Sequence, residues 1–361
     1  VLLGGAALTR RYVEEDCAEA YGSGGVVYAR DAFDGLGLMD KVANKSFDGF
    51  IVAEREKRKG RVVNEKRKLG RAADPAPMRP IDVEEIRLRR HELSRGVAVP
   101  APPFWGARII ESVPVKALLP FLNERMLYQF HWGYRKDGRS LDEFKTWAKR
   151  ELRPIRDAML DRVIAEDIIQ PRAAYGYWRC AAEGNDVILF AEDGRRELAR
   201  FSFPRQNKEG GLCIADFFRD VDEGERDVIG LQVVTAGARA SEVARQWFAA
   251  DRYQDYLYLH GLSVEMAEAL AEYVHASIRA ELGFAGEEPK DIDGLLSQGY
   301  RGSRYSFGYP ACPNLAAQEP LLELLGAKAI GVGLSEEYQL DPEQSTSAIV
   351  LVHPQAKYFS V

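Results

Sequence analysis

The thirteen residues SRYSFGYPACPNL (Ser303–Leu315) combine one arginine, several aromatic rings and a Pro-Ala-Cys-Pro turn. A guanidinium at Arg304 can grip a carboxylate through two parallel N–H donors. Gly308 lets the backbone approach a ligand closely. Tyr309 can cover a flat ring or a cationic centre. Two prolines hold the loop, so little order is lost on binding. An earlier segment, RAAYGYWRC (Arg172–Cys180), shares the order arginine, two residues, aromatic, Gly-Tyr, two residues, cysteine. These groups suit a zwitterionic ligand with a carboxylate, an aromatic base and a positive centre. S-adenosylmethionine has all three. A packed aromatic corner is the other use of the same residues.

Other chemistries find no support in the spacing. GLGLMD and GVGLSE both fail the G-x-G-x-x-G pattern, and neither a Walker sequence nor a G-x-S-x-G elbow occurs. The five histidines (His91, His131, His260, His275, His353) lack metal-helix spacing. His260 and His275 are expected on helix surfaces or interfaces, and His353 at a strand end. The four cysteines (Cys17, Cys180, Cys213, Cys312) form no C-x-x-C pair, which fits free thiols in a reducing compartment. With no signal peptide at Val1, the expected location is the cytoplasm.

The elements that must position the motif follow from composition and periodicity. A chain of 361 residues with 46% hydrophobic and 29% charged residues has material for a real core. A net charge of −6 argues against a nucleic-acid-binding surface, and no apolar run is long enough to span a bilayer. Residues 1–47 read as strand, Gly-Gly, helix, strand, helix, the last third of a doubly wound sheet beginning inside a domain. Residues 48–100 read as a charged and proline-rich linker; its basic stretch Arg55–Arg71 is taken as solvated rather than as a nucleic-acid site.

From residue 101 to 361 a single large domain is expected. SLDEFKTWAKRELRPIRDAMLDRVIAED is amphipathic and helical, with a bend at Pro154. RAAYGYWRCAAEGNDVILF reads as two strands joined at Glu183–Asp186. DVIGLQVVTAG is a buried strand. ASEVARQWFAADRYQDYLYLHGLSVEMAEALAEYVHASIRAEL reads as two long helices with a break near Gly261. SAIVLVHPQAKYFSV closes the chain with strand structure. Strands mixed with long helices, without strict alternation, make the fold class α+β: a mainly antiparallel twisted sheet with long helices, preceded by a Rossmann-like α/β fragment.

RYSFGYPACP closely resembles the Arg-x-x-x-Gly-Tyr-Pro-Ala-Cys-Pro signature of the reactivation domain of cobalamin-dependent methionine synthases. GGLCIADFF, AEALAEYVHASIR and SAIVLVHPQAKYFSV resemble further segments of that family in the same order. VLLGGAALTR followed by VVYARDA resembles the end of its cobalamin-binding domain. The resemblance implies the C-terminal part of a modular methyltransferase that moves a methyl group from methyltetrahydrofolate to cobalamin and then to homocysteine. Its last domain binds S-adenosylmethionine and remethylates cobalamin that has been oxidised to the cob(II) form. The electron comes from a flavodoxin-type partner.

Carried over on that resemblance, Arg304 holds the ligand's carboxylate. Ser306 and Gly308 contribute main-chain contacts, and Tyr309 and Tyr358 line the same pocket. Asn123, in PFLNERM, is the position nearest an acidic residue that touches the ligand's amino group in some relatives. Gly4, Gly5, Asp31 and Ala32 match positions beside the cobalamin nucleotide tail. The Asp-x-His-x-x-Gly loop that supplies cobalt's histidine is absent, as are the folate and homocysteine modules and the zinc cysteines of the latter. The remaining methionine synthase modules are thus implied as partners, and neither nucleic acid nor membrane is. Asn314-Leu315 stands where relatives often have Glu-His. The alternative is a non-catalytic S-adenosylmethionine-binding or partner-docking subunit of a split system.

Overall fold

The computed structural model describes residues 1–4, 13–21, 25–29, 32–54, 83–94, 96–206 and 211–359. It divides into two compact units, Val1–Pro80 and Ile81–Val361. In the first, β1 (Leu2–Gly4) pairs in parallel with β2 (Val27–Ala29), in the register Leu2 to Val27 and Gly4 to Ala29. Helix α1 (Ala32–Ala43) follows. A small core forms from Val27, Leu38 and Ile51, with Leu2, Phe47 and Phe50 against it. A parallel pair with helical connections is the geometry expected of a Rossmann-like fragment.

The second unit begins with α2 (Val83–Ser94) and β3 (Gly106–Ile110). Helices α3 (Leu141–Glu151) and α4 (Arg153–Ala165) follow. Next come β4 (Arg172–Glu183), β5 (Asp186–Phe190), β6 (Glu197–Ser202) and β7 (Asp227–Thr235). Helices α5 (Ala238–Ala249) and α6 (Tyr253–Glu281) precede β8 (Ser303–Ser306) and α7 (Gln318–Leu325). The short pair β9 (Gly333–Leu334) and β10 (Leu340–Asp341) leads to β11 (Ser345–Leu351).

Seven strands make one antiparallel sheet in the order β6-β5-β4-β7-β11-β8, with β3 also paired to β4. Alternate residues of β4 enter opposite cores: Ala173, Tyr175 and Tyr177 on the α6 side, Ala174, Trp178 and Cys180 on the α7 side. Burial on both faces explains the largely apolar composition of β5, β7 and the second half of β11.

The helices depart from the sequence expectation at Pro154 and at Gly261. Pro154 does not bend one helix; it opens a second, α4, in the first turn where its missing N–H costs nothing. Ser140 starts α3 with a capping box, accepting from the Glu143 backbone while Glu143 accepts from its own. Gly261 is not a helix break but lies within the 29-residue α6; the chain breaks between Ala249 and Tyr253, where Asp251 takes a φ of 57°. A Cβ at Gly261 would lie 2.6 Å from the Cβ of His131, so the glycine serves close packing.

Two segments within the expected linker take helical structure. Residues 47–54 are helical and put Ile51 into the first core. α2 belongs to the second unit, with Arg90 only 1% exposed and its Nη1 donating to Asp220 at 3.1 Å. His353 Nε2 meets the Leu93 carbonyl at 3.0 Å, so the closing His-Pro segment fastens the end of α2. The basic stretch Arg55–Arg71 lies outside the described residues. Among the described residues no helix is long and apolar enough to cross a membrane, and no His/Cys/Asp/Glu group could hold a metal.

Candidate functional site

Arg304 lies on β8, the edge strand beyond β11. Pairing of Ile349 with Tyr305 and of Val350 with Arg304 sets the register. Tyr305 and Phe307 therefore enter the α7-side core, while Arg304 and Ser306 face the other way. As an edge strand, β8 leaves alternate main-chain groups outside the sheet.

Helix α6 supplies the carboxylates that meet Arg304. Nη1 donates to Glu272 Oε2, and Nη2 lies 3.5 Å from Glu268 Oε2. Glu272 Oε1 accepts from Arg279 Nη2 at 3.0 Å, so one carboxylate is shared by two guanidinium groups. Arg279 also donates to Glu288 and lies 3.8 Å above the Tyr300 ring. Burial opposes the charge on Arg304, but Glu272 and Glu268 outweigh it and hold its pKa above the usual value. The Arg304 side chain remains 21% exposed, against 8% for Glu272.

His275 meets the Tyr300 ring edge-on at 5.1 Å. Of the two expected settings, helix surface or interface, the surface is excluded: it is fully buried, and neither ring nitrogen has a hydrogen-bond partner. Burial first, then Arg279 and Arg304, keeps it neutral by lowering its pKa well below the ordinary histidine value.

The Gly-Tyr-Pro-Ala-Cys-Pro stretch forms a tight turn beside this ladder. Cys312 N donates to Tyr309 O at 2.8 Å, and Gly308 N donates to Cys312 O at 2.9 Å. Gly308 has a φ of 86°, which strains any residue with a Cβ. Pro310 follows Tyr309, the turn position that its fixed φ suits. The Tyr309 ring is 41% exposed; partial burial, then Glu268 and Tyr358, raise its phenol pKa. Burial pushes the Cys312 thiol up to about 12, marking it as a packing residue.

Tyr358 belongs to the closing segment. It stacks on Tyr305 at 5.9 Å and 27°, and its N–H donates to Gln298 Oε1 at 3.2 Å. Lys357 Nζ donates to the Gln298 carbonyl at 2.8 Å, and Tyr305 donates to the Lys357 carbonyl at 2.7 Å. The closing segment is thus strapped to the loop before β8.

Arg304, Ser306, Gly308 and Tyr309 follow one another on β8 and its turn, and Tyr358 stacks on Tyr305, whose side chain faces away from Arg304; Asn123 lies elsewhere in this unit. Asn123 caps the turn Glu124–Met126, accepting from Met126 N at 3.2 Å. It lines a cavity of about 530 Å³ with Tyr128, Phe144 and Leu296, and none of the Arg304 group is in that wall. Gly4 lies in the other unit, where a Cβ would come 2.4 Å from the Ala29 carbonyl; the strand pair itself demands glycine there. Gly5 and Asp31 lie outside the described residues. Ala32 opens α1, and its side chain is not described.

The likeness between RAAYGYWRC and RYSFGYPAC carries no shared geometry. Tyr175 and Tyr177 both donate to Glu281 at 2.7 Å, and Gly176 passes under the Gly106 carbonyl rather than forming a turn. Glu268, Glu272, Arg279 and Tyr300 were not singled out from sequence. Their signal is two acids at i and i+4 with an arginine seven residues later, on a helix otherwise rich in buried alanine and leucine.

Comparison with known proteins shows the family and the fold. Residues 114–361 match the family described as vitamin B12 dependent methionine synthase, activation domain. The chain is 42% identical over 383 residues to the methionine synthase of Mycobacterium tuberculosis (strain ATCC 25618 / H37Rv) and 41% over 386 residues to that of Mycobacterium leprae (strain TN). The alignments cover 100% of this chain and 32% of each relative, so the chain spans about a third of their length. Among solved structures, the MetH reactivation domain bound to AdoHcy superposes with a TM-score of 0.69 at 24% identity, covering 78% of this chain and 90% of that one. That likeness carries the fold: an antiparallel sheet flanked by helices. With more than two thirds of its residues matched, the chain belongs to the vitamin B12 dependent methionine synthase activation domain family.

Proposed function

We propose that this chain is the reactivation segment of a cobalamin-dependent methionine synthase and that the Arg304 region seats S-adenosylmethionine for remethylation of oxidised cobalamin. The observation that carries the reading is a partly open guanidinium on the strand whose turn carries the exposed Tyr309, in a fold matching one described with AdoHcy. In this reading Nη2 of Arg304, not held by a close hydrogen bond, takes the ligand's carboxylate. The left-handed backbone at Gly308 and the free edge of β8 at Ser306 supply main-chain contacts. Tyr309 and Tyr358 offer aromatic faces to the sulfonium. When bound, the ligand supplies an electrophilic methyl group; the protein contributes proximity and orientation, and no side-chain base is required.

Cobalamin, the other methionine synthase modules with their zinc, and a flavodoxin-type electron donor belong to the whole-enzyme part of the proposal.

Calorimetric titration of S-adenosylmethionine and AdoHcy into the chain tests the seat. Saturable one-to-one binding that Arg304→Ala weakens is the expected result. Supplying the missing modules and cobalamin in trans then tests methyl transfer. Wild-type binding that is indifferent to Arg304→Ala overturns the assignment.

A further inference from the structure

Glu268 and Glu272 stand four residues apart on α6 and approach the same guanidinium, but they are not equivalent. Glu272 is buried, and both its oxygens are in use, one on Arg279 and one on Arg304. Glu268 is 49% exposed. Its nearest oxygen lies 3.5 Å from Arg304 Nη2, beyond the range of a good hydrogen bond, and it accepts no other hydrogen bond among the described residues.

The surroundings of Glu268 keep it loosely held. On its own helix it neighbours Glu265 and Glu272, both acidic. From the other packed elements it is faced by Arg304, by His131 and by the Tyr309 phenol. His131 is already engaged, with Nε2 at 3.0 Å from Glu265. Partial desolvation and the two like charges raise the Glu268 carboxyl pKa, against the pull of Arg304 and His131. An exposed pair of this kind contributes no more than about a fivefold factor to an equilibrium.

We propose that Glu268 is a placeholder: it balances the outer half of the Arg304 guanidinium until the carboxylate of the incoming ligand displaces it. Glu272 stays in place throughout, because moving it strips a counter-charge from two arginines at once. The incoming carboxylate can form the close, charge-assisted contact with Nη2 that Glu268 does not make. The exchange also sets specificity. An adenosyl thioether without a carboxylate gains nothing at Arg304 and leaves Glu268 where it is. The inference rests on the proposed ligand seat and adds a residue that acts against binding rather than for it.

The test is calorimetry on the full chain with two probes: AdoHcy, and 5′-methylthioadenosine, which keeps the adenosyl thioether but lacks the carboxylate. Glu268→Gln is expected to bind AdoHcy about two- to fivefold more tightly than wild type, with methylthioadenosine unchanged. Glu268→Ala should shift the same way, and it serves if the glutamine variant does not fold. Wild-type binding of AdoHcy that Glu268→Gln leaves unchanged or weakens overturns the placeholder role alone, pointing instead to a bystander or to a contact with the ligand's amine. Equal tightening toward both probes also overturns it. Absence of AdoHcy binding to every variant and to wild type removes the seat itself, and this inference with it.

Discussion

Arg304 and Glu272 are joined across 32 residues of sequence, the arginine reaching from edge strand β8 and the glutamate from the buried face of α6. The same carboxylate also answers Arg279, so the floor of the candidate seat is a ladder of alternating charges. Its inner rungs are buried and its outer rung, Glu268, is open.

Truncating Arg304 to alanine is expected to weaken AdoHcy and S-adenosylmethionine binding by about 2–4 kcal/mol, as for removing one member of a buried charge pair. Titration calorimetry reads this directly. A loss below about half a kcal/mol would mean that the ligand's carboxylate is held elsewhere.

Glu272→Ala should destabilise the second unit by about 3–5 kcal/mol, because two guanidinium groups lose their common partner in a poorly solvated place. Glu268→Ala should cost no more than about 1 kcal/mol. Urea unfolding of the two variants separates the rungs. Equal costs would contradict the burial difference between them.

Gly308→Ala is expected to cost about 1–2 kcal/mol, since its left-handed φ of 86° strains an L side chain. The new Cβ would also sit 3.2 Å from Leu315 Cδ2. Loss of AdoHcy affinity should accompany the loss of stability if the turn lines the seat. Wild-type affinity in a destabilised variant would confine Gly308 to a folding role.

His275 gives the fold an acid limit. Its pKa is lowered in the folded chain, whereas the unfolded chain keeps a value of about 6.5. Below that pH the unfolded state binds the extra proton, so stability falls as pH falls, by up to about 1.4 kcal/mol per unit. Above about 6.5 both states are neutral and the contribution is level. Chemical unfolding at pH 7.5, 6.5 and 5.5 should show this slope, and His275→Phe, which can keep an edge-on contact with Tyr300, should flatten it. An identical slope in the variant would sink the idea.

Much of the architecture was legible in local sequence, because local rules dictate it. SLDE announces a capping box at Ser140 and Glu143 whatever lies around it. EGND between two apolar runs announces the β4–β5 hairpin, and Gly308 with Pro310 announces a turn. Arg304, Gly308 and Tyr309 of the candidate seat could be named for the same reason: they stand within six residues of one another on a strand and its turn, whereas Tyr358, 49 residues on, was indicated only by the family resemblance.

What the tertiary structure alone decided is the meaning of residues whose partners are distant. Gly261 reads locally as a helix stop, yet its role is to admit His131 and Trp132 against a continuous helix. The acids of AEALAEYVH read as a helix surface until β8 brings Arg304 over them. Arg90 looks like part of a charged linker until Asp220 is found beside it, 130 residues later. A helix specifies which side chains share a face, but only packing specifies what that face meets. The sequence by itself therefore determined the strands and turns of this chain and pointed to Arg304, and the fold determined which charges oppose it, because a counter-ion is chosen by proximity in space and leaves no periodic trace along the chain.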